Sequence, residues 1–301
     1  MIHPGDILGV TQWRMRIELL TSAKDFLLRT QSLRAADPFR TNILGSVATA
    51  VADGSLTYEA YLWWVLTDNQ GQTIGAAMRT APHAMVLSHM PMNAISELAR
   101  AVSFQDDGLP SVSGPTAVVG KFIEEYRGTK SQGSSRIAEM KEQHLLYALG
   151  ELSIPSVKGV MTIASPMDYE LILSWYLGFG KDTGVFMPNP QGSINAGLGR
   201  NSYRFWSVDG EKVCLAGHAP LVDTPDGAIA RIGPVYTPPE RRRNGYGSAL
   251  TAKLSQELIE HGAKVMLYTD AANPTSNSIY QKIGYELIDR NAMYAFKVEN
   301  V

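Results

Sequence analysis

Apolar residues recur along this chain in two patterns, and the order of those patterns predicts a sheet with flanking helices. Runs of alternating or consecutive apolar residues, typical of strands, occupy residues 61–80, 84–89, 109–112, 159–164, 202–223, 228–237, 263–270 and 292–298. Apolar residues three or four apart, typical of helices, occur in 93–102, 116–126, 165–180, 248–260 and 273–283. The pattern at 143–152 fits a strand or a short helix, and the Gly/Asn-rich segment 189–201 predicts a loop.

Two of the predicted hairpins match each other without a gap. Residues 61–80 and 202–223 each read as two strands around a polar turn. The matched positions are Tyr61 with Tyr203, Trp64 with Trp206, and Gly75 with Gly217. Each hairpin is followed by a further strand, a helix, a strand and a helix. We therefore predict two tandem copies of one α/β unit, residues 1–155 and 156–301.

The composition narrows the class of protein. A chain of 301 residues is long enough for about two domains, each with its own core. The net charge of −2 argues against a protein whose main function is to coat nucleic acid. Its single cysteine, Cys214, allows no intrachain disulfide and no Cys-rich metal site. Neither a signal peptide nor an apolar run of about 18 residues is evident, so we expect a cytoplasmic protein without membrane contact.

The segment "TPPERRRNGYGSAL" (237–250) carries the clearest chemistry. A predicted strand precedes it, and an amphipathic helix with leucines every fourth residue follows. A helix start collects unpaired N–H groups and the positive end of the helix dipole, and glycines let an anion approach closely. The segment therefore predicts a phosphate cradle. It lacks the lysine of a Walker loop after Gly247, and Leu250 stands where a dinucleotide fingerprint needs a third glycine.

Two motifs resemble those of the GNAT N-acetyltransferase superfamily. Residues 242–247, Arg-Arg-Asn-Gly-Tyr-Gly, resemble its acyl-CoA pyrophosphate signature, Arg/Gln-x-x-Gly-x-Gly/Ala. "NPTSNSIYQKIGY" (273–285) resembles its second signature, Asn…Tyr-x-Lys-x-Gly-Phe/Tyr. The resemblance covers roughly residues 159–298 and implies an α/β fold of the α+β type, a mixed, mostly antiparallel sheet flanked by helices. Segment 88–99 has no glycine at the corresponding turn, so the first half is expected to be a degenerate copy that packs on the second half and helps to shape the acceptor pocket. The alternative for this half is a purely structural or dimerising role.

The resemblance also implies a reaction. The co-substrate would be acetyl-CoA or a related short acyl-CoA, no metal would be needed, and a primary amine, preferably of a small molecule, would attack directly. Tyr280 would be the general acid that protonates the leaving thiolate, which suits a phenol with an ordinary pKa near ~10. Asn277 shares a helix face with Tyr280 and could orient it or the cofactor. The expected cofactor-binding residues are Val235, Tyr236, Thr237, Arg242, Arg243, Asn244, Gly245, Tyr246, Gly247, Ser248, Asn273 and Asn277.

Several alternatives stay open at this point. Cys214 could form an acyl-enzyme, but its place in a strand favours a buried apolar role. Arg241 is expected to face solvent, and no general base is assigned. The histidines expected to be structural are His83, His89 and His218, and the acids near strand ends are Asp223, Asp226, Glu240 and Asp270. A non-catalytic acyl-CoA-binding module, a protein lysine or N-terminal acetyltransferase, and a nucleic-acid-binding protein that uses the arginine run are the competing functions; the oligomeric state is not predicted.

Overall fold

A computed structural model describes residues 15–105, 108–129, 134–185, 187 and 189–300. In this part of the chain, twelve strands form one sheet, with helices packed on it. The strands are β1 (Arg16–Leu20), β2 (Ala60–Thr67), β3 (Thr73–Ala81), β4 (Met85–Leu87), β5 (Ser111–Pro115), β6 (Ser134–Leu149), β7 (Val160–Ile163), β8 (Arg204–Val208), β9 (Glu211–His218), β10 (Ala228–Tyr236), β11 (Ala263–Asp270) and β12 (Tyr285–Asn300). The helices are α1 (Ala23–Arg29), α2 (Gln31–Ala36), α3 (Asn42–Ala52), α4 (Met92–Gln105), α5 (Thr116–Arg127), α6 (Tyr169–Thr183), α7 (Pro190–Gly199), α8 (Tyr246–Glu260) and α9 (Pro274–Lys282).

The strand order shows that the two halves of the chain are related by an approximate two-fold axis. The order is β1-β2-β3-β4-β5-β12-β6-β11-β10-β9-β8-β7. If β1 to β6 are exchanged with β7 to β12, each strand with its counterpart six places along, the same order results, read from the other end. The pairs β4–β5 and β10–β11 are parallel, and the other pairs are antiparallel. The predicted fold class, a mixed and mostly antiparallel sheet with flanking helices, is confirmed.

The central strands are exchanged between the halves. β6 belongs to the first half by sequence, yet it pairs with β11 of the second half. Conversely, β12 lies between β5 and β6 and pairs with both. Tyr147 of β6 is buried in the core of the second half, beside residues of α8 and β11. Each half therefore completes its sheet with a strand from the other.

The matched hairpins occupy equivalent places in the two cores. Trp64 is buried in the core of the first half, and Trp206 is buried in the core of the second. At Gly75 a Cβ atom would lie 2.7 Å from Met90, and at Gly217 it would lie 2.8 Å from the Tyr203 ring. Both glycines are thus positions where a neighbouring side chain crosses the strand closely.

The loop predicted at 189–201 is wrong, because α7 occupies most of that segment. Asn189 caps the helix, with its Oδ1 accepting from the Gly192 N–H at 2.9 Å, and Pro190 stands in the first turn. Ile194 is fully buried. Gly197 lies against the Tyr203 ring, where a Cβ would approach to 2.4 Å. Packing therefore overrides the low helix propensity of these glycines.

Other boundaries differ in extent. β6 and β12 are much longer than the patterns at 143–152 and 292–298 predicted, since each pairs on both sides along part of its length. The beginning of the chain that was searched for a signal peptide lies mostly outside the described residues, as does part of the predicted loop at 128–135. None of the described helices combines the length and the apolar character that a membrane span requires.

Candidate active site

A cavity of 1410 Å³ opens where β10 and β11 separate. Their parallel pairing runs from Ala228↔Ala263 to Ile232↔Leu267 and ends there, although β10 continues to Tyr236 beside β9. The β9–β10 register also shifts between Ile232 and Val235. From Gly233 onward, β10 therefore presents an edge toward the cavity rather than toward β11.

The N-terminus of α8 faces the same cavity. The turn before it has two residues in the left-handed region, Arg243 with φ 66° and Gly245 with φ 78°. No side chain caps the helix, and its first turn carries no acidic residue. At Gly247 a Cβ would find only ordinary contacts, 3.6 Å from Thr237 Oγ1 and 3.8 Å from Val235 Cγ1. These free N–H groups and the missing side chains fit the pyrophosphate of an acyl-CoA.

The three arginines before α8 have different environments. Arg241 is exposed and pairs with Glu211 at 2.7 Å. Arg242 donates from Nε to the Thr237 carbonyl at 2.9 Å and pairs with Asp182 of α6. Arg242 thus ties the turn to its neighbours, while the exposed Arg243 has no ion-pair partner among the described residues.

Tyr280 of α9 lines the cavity on the side opposite the cradle's strand. Its ring packs edge-on to Tyr285, with centroids 6.1 Å apart. Burial raises the pKa of the Tyr280 phenol above its ordinary value, and the nearby Cys214 thiol adds to that rise. The hydroxyl therefore stays protonated and can donate a proton at neutral pH.

Cys214 lies beneath this region and is fully buried. Its Sγ accepts a hydrogen bond from Thr237 Oγ1 at 3.2 Å. Burial raises the pKa of the thiol to about 12. A neutral, buried thiol is a poor nucleophile, so the structure does not favour Cys214 as a nucleophile.

The two asparagines of the second motif occupy different places. Asn273 lines the cavity and caps α9, with Oδ1 accepting from the Ser276 N–H at 3.0 Å. Asn277 does not line the cavity. Its Nδ2 donates to the Asp270 carbonyl at 3.1 Å, and its Oδ1 lies 3.5 Å from the Tyr147 hydroxyl. The Asn277 amide thus joins α9 to β11 and β6, and its role toward Tyr280 or the cofactor stays a prediction.

The structure brings together most of the residues that the sequence singled out. The cavity is lined by Val235, Tyr236, Thr237, Arg242, Arg243, Asn244, Gly245, Tyr246, Gly247, Ser248, Asn273 and Tyr280. Among the acids considered as bases, only Asp270 lines it. No cluster of potential metal ligands occurs within the described ranges.

The first half and α6 contribute one wall of this cavity, and its individual residues were not predicted from the sequence. This wall includes Ile43, Tyr58, Glu59, His83, Glu142, His144, Tyr176 and Asp182, together with Arg231 of β10. Burial lowers the pKa of His83, which keeps that imidazole neutral. Only the matched hairpins hinted that the first half would lie beside the site; no local motif marks these residues.

Comparisons with known proteins agree with this geometry. Residues 219–294 match a family model described as FR47-like protein. A mycothiol acetyltransferase of Paenarthrobacter aurescens is 35% identical over 98 residues, which make up 31% of this chain and 30% of that protein. The match thus spans less than a third of the relative's length.

Two solved structures resemble nearly the whole chain. An acetyltransferase of the GNAT family from Colwellia psychrerythraea has a TM-score of 0.60 and 14% identity, covering 94% of this chain and 100% of that chain. A tandem GNAT protein from the clavulanic acid biosynthesis pathway has a TM-score of 0.54 and 11% identity, covering 95% and 98%. At these identities the likeness establishes the fold.

Proposed function

We propose that the chain is an N-acetyltransferase of the GNAT superfamily that moves an acetyl group from acetyl-CoA to a primary amine of a small molecule. One observation carries the proposal. The uncapped start of α8, the diverging edge of β10 and the Tyr280 hydroxyl all face one cavity. An acyl-CoA needs these three features in that combination: donors for its pyrophosphate, a strand edge for its pantetheine arm, and an acid for its thiolate.

In the proposed reaction the amine nitrogen attacks the thioester carbonyl carbon of acetyl-CoA. The backbone N–H groups after the register shift in β10, near Val235, would stabilise the oxyanion. The C–S bond then breaks, and Tyr280 donates its proton to the departing sulfur. The products are the N-acetylated amine and CoA. The amine proton passes to solvent, and solvent returns a proton to the Tyr280 phenolate, so no side chain is assigned as the base.

In this proposal the two halves of the chain have different roles. Residues 156–301 carry the cradle and Tyr280, while the wall contributed by the first half narrows the cavity opposite them. A protein lysine would need an open approach across that wall. The cavity lining therefore supports a small acceptor.

Thermal unfolding with acetyl-CoA tests the proposal, with ATP and NAD as control ligands. At a hundred times its dissociation constant, acetyl-CoA should stabilise the protein by about 2.7 kcal/mol, and the controls should not. Gly247→Asp places a carboxylate where the pyrophosphate would bind, so this variant should keep its own unfolding temperature and lose the shift. Gly247→Ala, which fits the available space, is the matched control and should keep the shift. An equal shift in wild type and Gly247→Asp would contradict the assignment of the cradle.

A further inference from the structure

Arg231 of β10 is a cation in the cavity wall without an acidic partner. Its Nε donates to Asn42 Oδ1 at 3.0 Å, and its Nη2 donates to Ser46 Oγ at 3.2 Å. Both partners are uncharged and lie on one face of α3, in the first half of the chain. Among the described residues, no Asp or Glu forms an ion pair with Arg231.

The acids that share the cavity are engaged elsewhere or exposed. Asp182 pairs with Arg242, and Glu142 pairs with His144 at 3.0 Å. Asp270 accepts from the Ala272 N–H at 2.8 Å, and Glu59 is exposed. The groups that act on Arg231 electrostatically are the phenols of Tyr268, Tyr176 and Tyr58. Burial lowers the pKa of Arg231, and these phenols oppose that change only in part.

Holding Arg231 in the cavity wall without a counter-charge costs free energy in the unliganded protein. Arg231 is half-buried, and a charged side chain partly withdrawn from water normally has a counter-charge. A guanidinium has five N–H donors, of which Asn42 and Ser46 use two, so three remain. Asn42 and Ser46 hold the planar group in one orientation, which favours two-point recognition of a carboxylate or phosphate.

We propose that the acceptor amine carries an anionic group, a carboxylate or a phosphate, that binds Arg231. This inference rests on the proposed acetyl transfer and names the class of acceptor. Arg231 precedes Val235 by four residues of β10, a span of at most about 13 Å because the strand is irregular between Ile232 and Val235. The amine must reach the thioester near Val235, so the amine and the anionic group of the acceptor lie several bonds apart.

Matched substrate pairs test this recognition. The acceptors are 4-aminobutyrate and 6-aminohexanoate, each compared with its methyl ester, and O-phosphoethanolamine compared with ethanolamine. CoA release at saturating acetyl-CoA gives kcat/KM for each. In wild type we expect the anionic member of a pair to exceed its neutral analogue by about 10- to 100-fold, mainly through KM. Comparing the two carboxylate pairs with the phosphate pair shows which of the two anions Arg231 recognises.

Arg231→Gln should remove this preference to within about threefold, and it should leave acetyl-CoA affinity unchanged. Arg231→Lys keeps the positive charge but not the planar guanidinium with its paired N–H donors, so it should recover only part of the preference for anionic acceptors. The control is Arg34→Gln, because Arg34 is also half-buried with uncharged partners but lies away from the cavity. If Arg231→Gln lowered kcat/KM equally for anionic and neutral acceptors, the proposal would be overturned.

If none of these amines reacts, anion binding can still be measured without turnover, through the unfolding temperature. Glutarate and inorganic phosphate, compared with sodium chloride at equal ionic strength, should raise the unfolding temperature of wild type and not of Arg231→Gln. If neither anion acts through Arg231, the proposal fails. Acetyl-CoA binding is measured in the same samples, so failure of acetyl transfer as the function would appear separately, as a missing acetyl-CoA shift.

Discussion

Tyr280 illustrates how one side chain combines packing and chemistry. Its partly buried ring packs against the core of the second half, beside Tyr285, and the residue also lines the cavity. The burial that fixes the ring also raises the pKa of the phenol. The proton therefore stays on oxygen at neutral pH, and the phenol is a weaker acid toward a departing thiolate than an ordinary tyrosine would be.

Replacing Tyr280 by phenylalanine should lower kcat by about 100-fold, because the leaving thiolate would lose its proton donor. The affinity for acetyl-CoA should change by less than about threefold, since the ring remains. Stopped-flow measurement of CoA release and calorimetric titration of acetyl-CoA check the two parts.

Tyr285→Phe is the matched control for this experiment. The Tyr285 hydroxyl bonds Ser255 Oγ at 2.7 Å and does not line the cavity. We expect about 1 kcal/mol of lost stability and an unchanged kcat. Equal kcat in Tyr280→Phe and wild type would show that another group, or water, protonates the thiolate.

The residues that could be predicted from sequence are those with a local requirement. Gly245 needs a left-handed backbone, and Tyr280 has a fixed spacing from the cap at Asn273. Arg231 and Asn277 could not be assigned in this way, because their partners lie in elements far away in sequence, α3 and β6. Sequence patterns indicate where a residue sits within its own element, not which element packs across from it.

At the scale of elements, one ion pair fixes α8 against the sheet. Arg204 of β8 donates from Nε to Glu257 Oε2 at 3.0 Å and contacts the second carboxylate oxygen as well. The Arg204 side chain is only 7% exposed, so it depends on this partner. The hydrogen bonds from Arg204 hold the pKa of Glu257 below its ordinary value. The C-terminal turns of α8 are thereby anchored while its N-terminus faces the cavity.

This ion pair predicts a pH dependence of stability. A carboxylate with a lowered folded pKa stabilises the fold above its unfolded pKa, near ~4.3, and the contribution is lost as pH falls through the folded pKa. Glu257→Gln should therefore be less stable than wild type at pH 7, by about 1.5 kcal/mol. The difference should shrink as pH falls below about 4. Urea unfolding between pH 3 and 7 measures it; a constant gap would rule out the ion pair as its cause.

The misprediction of α7 belongs to this scale too. Glycine and asparagine in 189–201 indicate a loop when local propensity is read alone. The helix forms because Asn189 caps it and because Ile194 reaches the core. Local propensity is a weak guide where a glycine is needed for close packing against an aromatic ring, as at Gly197.

At the scale of the molecule, the predicted boundary near residue 155 separates the two repeats along the chain but not in the packed structure. The reason is that β6 and β12 are exchanged between the halves. The longest register in the sheet joins these two strands, from Tyr285↔Leu149 to Asn300↔Ser134. The repeat could be predicted from the matched hairpins. The exchange could not, because both strands fit equally well at the edge of their own half.

Splitting the chain tests this organisation. Residues 156–301 expressed alone should show no cooperative unfolding transition, because β11 and the core around Tyr147 would lack β6. Co-expression with residues 1–155 should restore a one-to-one complex with a single transition. Calorimetry and size-exclusion chromatography report both. Cooperative unfolding of 156–301 alone would mean that β12 can return to its own half.

The exchange also has a consequence for how the chain is made. A ribosome releases β5 and β6 long before β12, so the slot that β12 fills stays open while the whole second half is synthesised. An open slot between two strands accepts any β12, including that of a neighbouring chain on the same messenger RNA. Two chains that trade this strand form an intertwined dimer with the same contacts as the monomer. Crowded synthesis should therefore favour such dimers, and slow, dilute synthesis should favour closure within one chain.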